Sequence, residues 1–121
     1  MSERIVGIGT QRHTKVVCLD EPSHGGACHR YVVIPVDENL PPERLTEIYF
    51  QKGPIKEHGV NGCHNEDLIA IVLDRLHHFQ TSEYACENNA TAINDLEDAL
   101  KWLRFRTQER EARGIEGTSE K

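Results

Sequence analysis

No stretch of this 121-residue chain reaches the run of about 18 apolar residues that a membrane-spanning helix needs. The opening residues, MSERIVGIGT, lack the apolar centre of a secretory signal. Both absences point to an intracellular protein with no membrane partner. In that compartment Cys18, Cys28, Cys63 and Cys86 are expected as thiols rather than disulfides.

Metal-ligand spacings are missing too. The chain has seven His, yet no C-x-x-C, H-x3-H or H-E-x-x-H occurs. Cys28-His29 and Cys63-His64 are sequence neighbours, which rarely serve one tetrahedral centre. No metal and no cofactor is expected. A G-x-S-x-G elbow is absent. His77-His78 falls near a helix end, where a solvated or capping role is the simpler reading. No catalytic residue is expected either.

Nucleotide signatures are weak. Gly7-Ile8-Gly9 lacks the third glycine and the helix of a dinucleotide fingerprint, and there is no P-loop. The chain also lacks a basic excess: its net charge is -6. That excludes a general DNA or RNA binder, whose affinity comes from neutralising phosphates. It leaves room for a small anionic ligand, for which a local arginine cluster suffices.

What is present falls into two halves. Arg4 to Thr10, Lys15 to Leu19, His29 to Val36 and Glu47 to Gln51 read as strands, rich in β-branched and aromatic residues. A hairpin is expected around Gln11 to Thr14. Turn clusters at 22–26, Pro41-Pro42 and Gly53-Pro54 punctuate this half. From Asn65 the pattern turns helical. Asn65 is a candidate N-cap, with Glu66 and Asp67 near the positive end of the helix. Leu68, Ile69, Val72, Leu76 and Phe79 follow at helical spacing. A second helix is expected from Glu87 to Arg113, with Ile93, Leu96, Leu100 and Leu103 as a pairing seam. Gly114 then Ile115 fits a glycine C-cap with an apolar contact after it. There is no internal repeat. The expected fold is α+β: a small N-terminal antiparallel β region (1–56), a C-terminal antiparallel helical hairpin (57–118) and a loose tail (119–121), in one compact unit.

Three features invite chemistry, and each has a plain structural alternative. The turn Gly59-Val60-Asn61-Gly62 precedes a helix, so its backbone N–H groups can face an anion; equally, it is a tight turn that needs glycines. Arg106, Arg110 and Arg113 share one helix face, with Arg104 to the side. Such a row suits a phosphate group; equally, it is a solvated face with Glu109 paired to Arg106 and Arg113. Phe79 and Tyr84 bracket the connection between the helices, and Asn88 and Asn89 open the second one. A ring to stack on a base and an amide to read its edge suit a nucleotide; equally, they close and cap a hairpin.

These residues together carry a resemblance. GVNGCHNEDLIAIVLDRLHHFQ, YACENNATAINDLEDALKWL and RTQEREARGIEGT, within about residues 57 to 118, resemble the helical hairpin shared by two phage anti-defence groups. These are the Thoeris anti-defence sponges and the anti-CBASS sponges. The closing R-T-x-x-R-x-x-R-G-x-E-G-T is the most specific piece. VGIGT and KVVCLDEP, ahead of the hairpin, look like the Thoeris type, which carries an added β region. The resemblance implies a binding protein rather than an enzyme. It would sequester glycocyclic ADP-ribose without cleaving it, in the cytoplasm of the infected bacterium, and so block a Thoeris effector. By motif, Phe79 would stack on the adenine, Asn89 would bind polar edges, and Arg106 and Arg110 would hold the diphosphate. A second site at Gly59, Asn61 and Gly62 would take cyclic di- or trinucleotides. The family assembles as homodimers and as homohexamers built from three dimers. The rival readings are a sponge specific for CBASS cyclic oligonucleotides and an enzyme that degrades the signal.

Spacing adds a constraint. Asn89 and Arg106 are 17 positions apart on one helix, about 25 Å along its axis. One small ligand cannot touch both in a single copy. A two-fold pairing of the long helices would bring one copy's Phe79 and Asn89 to the other's Arg106 and Arg110.

Overall fold

The computed structural model describes residues 3–9, 11–41 and 45–120. Thr10, Pro42 and Lys121, where parts of the sequence reading fall, lie outside them. The described residues form two compact units divided between Cys63 and His64.

The first unit is a four-stranded antiparallel meander in the order β1 (Arg4–Ile5), β2 (Thr14–Cys18), β3 (Arg30–Pro35) and β4 (Thr46–Tyr49). Each expected strand is present, though β1 keeps only its first two residues. Val17 pairs directly with Val32 across β2 and β3. Side chains alternate along a strand, so Val17 and Leu19 share a face with Val32 and Ile34, and these four make the apolar core of this unit. Tyr31, opposite Cys18, points the other way and meets the Phe50 ring edge-on at 5.7 Å.

One element was not anticipated: a single helical turn, α1 (Ile55–His58), set off by Pro54 at its N-cap. A fixed φ suits proline at that point. Gly59 ends the turn at φ 72° and donates its N–H to the Ile55 carbonyl.

The second unit is the hairpin of α2 (Asn65–Gln80) and α3 (Glu87–Ala112), packed antiparallel. Leu73, Ile93 and Leu100 are buried between the helices, flanked by Ile69, Leu76 and Leu96. Of the expected α3 seam, Ile93, Leu96 and Leu100 join this cluster, while Leu103 is half-buried outside it. The α2 face is rotated from expectation: Ile69, Leu73 and Leu76 point inward, while Val72 and Phe79 are exposed. Both lines have the three-and-four spacing of a helix stripe, and packing against α3 selected between them. The N-cap of α2 is His64 rather than Asn65, one residue earlier, because the Asp67 carboxylate accepts the His64 N–H at 2.8 Å.

Helix α3 ends as its sequence suggests. The Ile115 N–H donates to Arg110 and the Gly114 N–H to Glu111, the paired bonds of a Schellman end, with Gly114 at φ 74° and Ile115 buried.

Candidate functional site

Phe79 stands in the last turn of α2 and is 37% exposed. An aromatic ring left open to water at a helix end is a stacking platform. The Arg75 guanidinium lies over this ring, 5.3 Å from its centre. Sequence reasoning missed Arg75, although its i, i+4 spacing to Phe79 was the signal.

The connection 81–86 is closed by side chains. Gln80 accepts the Cys86 N–H at 3.0 Å and donates to its carbonyl at 3.1 Å. Ser82 donates to the Phe79 carbonyl at 2.7 Å. Asn89, half-buried in the first turn of α3, donates to the Tyr84 carbonyl at 3.3 Å. Its Oδ1 accepts no bond from a described residue. Asn88 is exposed in the same turn. Phe79 and Asn89 therefore share the turn end of the hairpin.

Arg106 and Arg110 share the opposite end, in the last two turns of α3. Arg106 is exposed and forms no bond or ion pair with any described residue. The alternative reading's pairing of Glu109 with Arg106 and Arg113 is not formed among the described residues. Arg110 is only 8% exposed. Its Nε donates to Glu116 at 2.8 Å, and one terminal nitrogen donates to the Ile115 and Thr118 carbonyls at 3.0 and 3.1 Å. The other terminal nitrogen donates to the Glu120 carbonyl. Four of its five N–H donors are thus committed to the chain's own tail.

The glycine turn is fixed by two side-chain amides. Asn61 uses its whole amide on Lys52, accepting the N–H and donating to the carbonyl, both at 2.8 Å. Gln51 answers by accepting the Asn61 N–H at 2.9 Å and donating to the Gly59 carbonyl at 2.8 Å. Gly62 sits against the Phe50 backbone, where a Cβ would fall 2.4 Å from the Phe50 carbonyl carbon. Cys63 then pairs with Phe50 as a parallel bridge. Two amides and one close backbone approach fix this loop. Lys52 and Gln51 are the residues that sequence reasoning missed here.

Cys18, Asp20 and Cys28 converge, with possible ligand atoms within 4.8 Å of one another. Each partner is already occupied. The Asp20 carboxylate accepts the N–H of His29 at 3.0 and 3.1 Å and that of Arg30 at 3.1 Å. Burial works against its charge, but these backbone bonds outweigh it and hold the carboxyl below its ordinary range. Both thiols donate to the Asp20 carbonyl, at 3.2 and 3.3 Å. Burial pushes the Cys18 thiol up, keeping it protonated. The Arg4 guanidinium lies 3.9 Å from the Cys28 sulfur. The cluster ties the β2–β3 connection together.

The chain matches known proteins along most of its length. The family described as "Acb2/Tad1, hairpin domain" matches residues 42–108, a span that includes Phe79, Asn89 and Arg106 and stops before Arg110. Thoeris anti-defense 1 of Bacillus phage SBSphiJ7 is 44% identical over 131 aligned positions, covering 91% of this chain and 92% of the relative. The hairpin and the near-complete relative together place the chain in the Acb2/Tad1 family, among the phage Thoeris anti-defence sponges.

Proposed function

We propose that this protein binds glycocyclic ADP-ribose at a site shared between two copies and withholds it, unchanged, from a Thoeris effector in the infected cell's cytoplasm. The observation that carries this reading is Arg106: an exposed guanidinium with no partner among the described residues, on the same hairpin as the open Phe79 ring. A cation with no counter-charge among the described residues and a ring covered by Arg75 on one face only complement a diphosphate and an adenine. Asn89 keeps an acceptor that no described residue occupies, for the base edge. Arg110 adds positive charge and its one remaining N–H.

A small, sealed ligand site of this kind needs a partner copy, because the two ends of the hairpin are far apart on one chain. The surface available for pairing is not the leucine seam, which is spent inside the hairpin. It is the exposed Trp102 and Phe105, in edge-on contact at 6.2 Å on α3. A homodimer, and a homohexamer of three dimers, would cover such rings.

Binding without cleavage fits the engagements of the reactive side chains. His77 faces Glu97 at 3.9 Å, His78 Nδ1 lies 2.8 Å from the Asp74 carbonyl, and the buried thiols share the Asp20 carbonyl. A second site at Gly59, Asn61 and Gly62, for cyclic di- or trinucleotides, would have to use backbone groups, since the Asn61 amide is committed.

The test is calorimetric titration of glycocyclic ADP-ribose into the full chain and its Arg106→Ala variant. Loss of one charge-assisted grip predicts affinity lower by about ten- to a hundredfold. Unchanged affinity in Arg106→Ala sinks this site.

A further inference from the structure

The apolar core of the β unit lies on one face of its sheet. Among the described residues, Val17, Leu19 and Val32 are its buried members, which is thin for a unit spanning residues 1–63. Small units with little core are commonly held by a disulfide or a metal as well.

The other face carries a row of a different kind. Arg4, Cys18 and Tyr31 lie opposite one another across β1, β2 and β3. Asp20, just past β2, and Cys28, just ahead of β3, join Cys18 there, and both cysteines are buried.

The distances show what this group suits. The Cys18 sulfur lies 3.2 Å from the Asp20 carbonyl oxygen and 3.7 Å from its Oδ1. The Cys28 sulfur lies 3.3 Å from the same carbonyl. A tetrahedral zinc ion, with sulfur at about 2.3 Å and oxygen at about 2.0 Å, sets neighbouring sulfur and oxygen ligands about 3.5 Å apart. The observed spacings straddle that value. The Asp20 carboxylate keeps room to ligate: it serves two N–H donors, those of His29 and Arg30, and can accept about four. Those two bonds orient it, as neighbours of a metal ligand do.

Charge fits as well. Two thiolates and a carboxylate carry three negative charges, and a divalent ion leaves one of them uncancelled. The Arg4 guanidinium, 3.9 Å from the Cys28 sulfur, supplies the balancing positive charge.

We propose that Cys18, Cys28 and Asp20 bind one thiophilic divalent cation of the zinc class. Each thiol gives its proton to water as its sulfur joins the ion. The ion then holds the end of β2 to the start of β3 more firmly than two thiols sharing a carbonyl. The site lies within residues 1–63 and does not rest on the sponge reading.

The test uses the reduced, tag-free full chain, stripped of metal and titrated with Co2+ and then Zn2+. Co2+ is expected to give the thiolate-to-cobalt absorption of two sulfur ligands at one ion per chain. Zn2+ should displace it and raise the melting temperature. Cys28→Ser should lower zinc affinity by at least about a hundredfold, the upper end of what losing a mere supporting neighbour costs. Arg4→Ala, at an exposed position that leaves all the ligands in place, should lower it by about tenfold, and Arg4→Lys should restore part of the loss. The Arg4 variants remain readable if Cys28→Ser fails to fold. Cys63→Ser and Cys86→Ser should bind as the unmutated chain does. Absence of the thiolate-to-cobalt absorption in the unmutated chain overturns the proposal. So does an ion held equally well by Cys28→Ser, or one lost from Cys63→Ser or Cys86→Ser.

Discussion

The Arg75 guanidinium covers one face of the Phe79 ring, 5.3 Å from its centre. A ligand base then has the other face, and would complete a sandwich of cation, ring and base. Phe79→Ala should cut ligand affinity by about ten- to a hundredfold, the usual worth of one base stacked on an aromatic ring. The melting temperature should fall only modestly, because the ring is partly exposed, at 37%, and lies outside the buried Leu73–Ile93–Leu100 cluster. Arg75→Ala should cost only a few-fold, near the roughly 0.5–1 kcal/mol of an exposed cation–π contact. Titration and thermal melts of both variants check this; a Phe79→Ala chain that binds normally removes stacking from the account.

The glycine loop gives a structural prediction. Gly62→Ala places a carbon against the Phe50 backbone, which cannot swing away as a side chain can. It should destabilise the β unit by about 1–3 kcal/mol. Asn61→Ala strips the Lys52 backbone of both its Asn61 partners and should cost about 1 kcal/mol, since water can replace these exposed bonds. Denaturant unfolding would show both losses. Full stability in Gly62→Ala would contradict the close approach.

Acid should loosen the β unit through Asp20. Its folded-state pKa lies below the unfolded value of about 3.9. A depressed carboxylate contributes stability that is present above the unfolded value and lost as pH falls through the folded one. Melts taken from neutral pH downward should therefore decline below about pH 4. Asp20→Asn should be less stable at neutral pH and show a shallower acid decline. An identical acid profile in the variant would refute this role.

A site shared by two copies predicts complementation. Phe79→Ala and Arg106→Ala chains should each bind poorly. Mixed and allowed to exchange subunits, they should regain tight sites, since a mixed dimer has one intact Phe79 facing one intact Arg106. Mixtures no better than the separate variants would place the whole site on one copy.

Much of this was legible in the sequence because it is local. Strand composition, the Ile93–Leu100 spacing and Gly114-Ile115 each specify their own neighbourhood. What stayed hidden depends on where distant side chains land. Val72 and Leu73 are equally apolar, and only contact with α3 chose Leu73 for the core. Asn61 resembles a turn residue until its amide meets Lys52. Cys18 and Cys28 show no ligand spacing, yet the β2–β3 pairing brings them to one carbonyl. The resemblance assigns Arg110 to the diphosphate; the tail groups that occupy four of its donors begin only after the helix ends, beyond the reach of helix spacing.

The most direct measurement is recovery of the ligand. The full chain is mixed with glycocyclic ADP-ribose, free ligand is removed, the protein is heat-denatured, and the released material is identified by chromatography and mass. The account predicts intact glycocyclic ADP-ribose, near one per chain in a shared, two-fold arrangement. A cleaved product would contradict it and make the protein an enzyme; nothing retained would move the signal to the cyclic oligonucleotides.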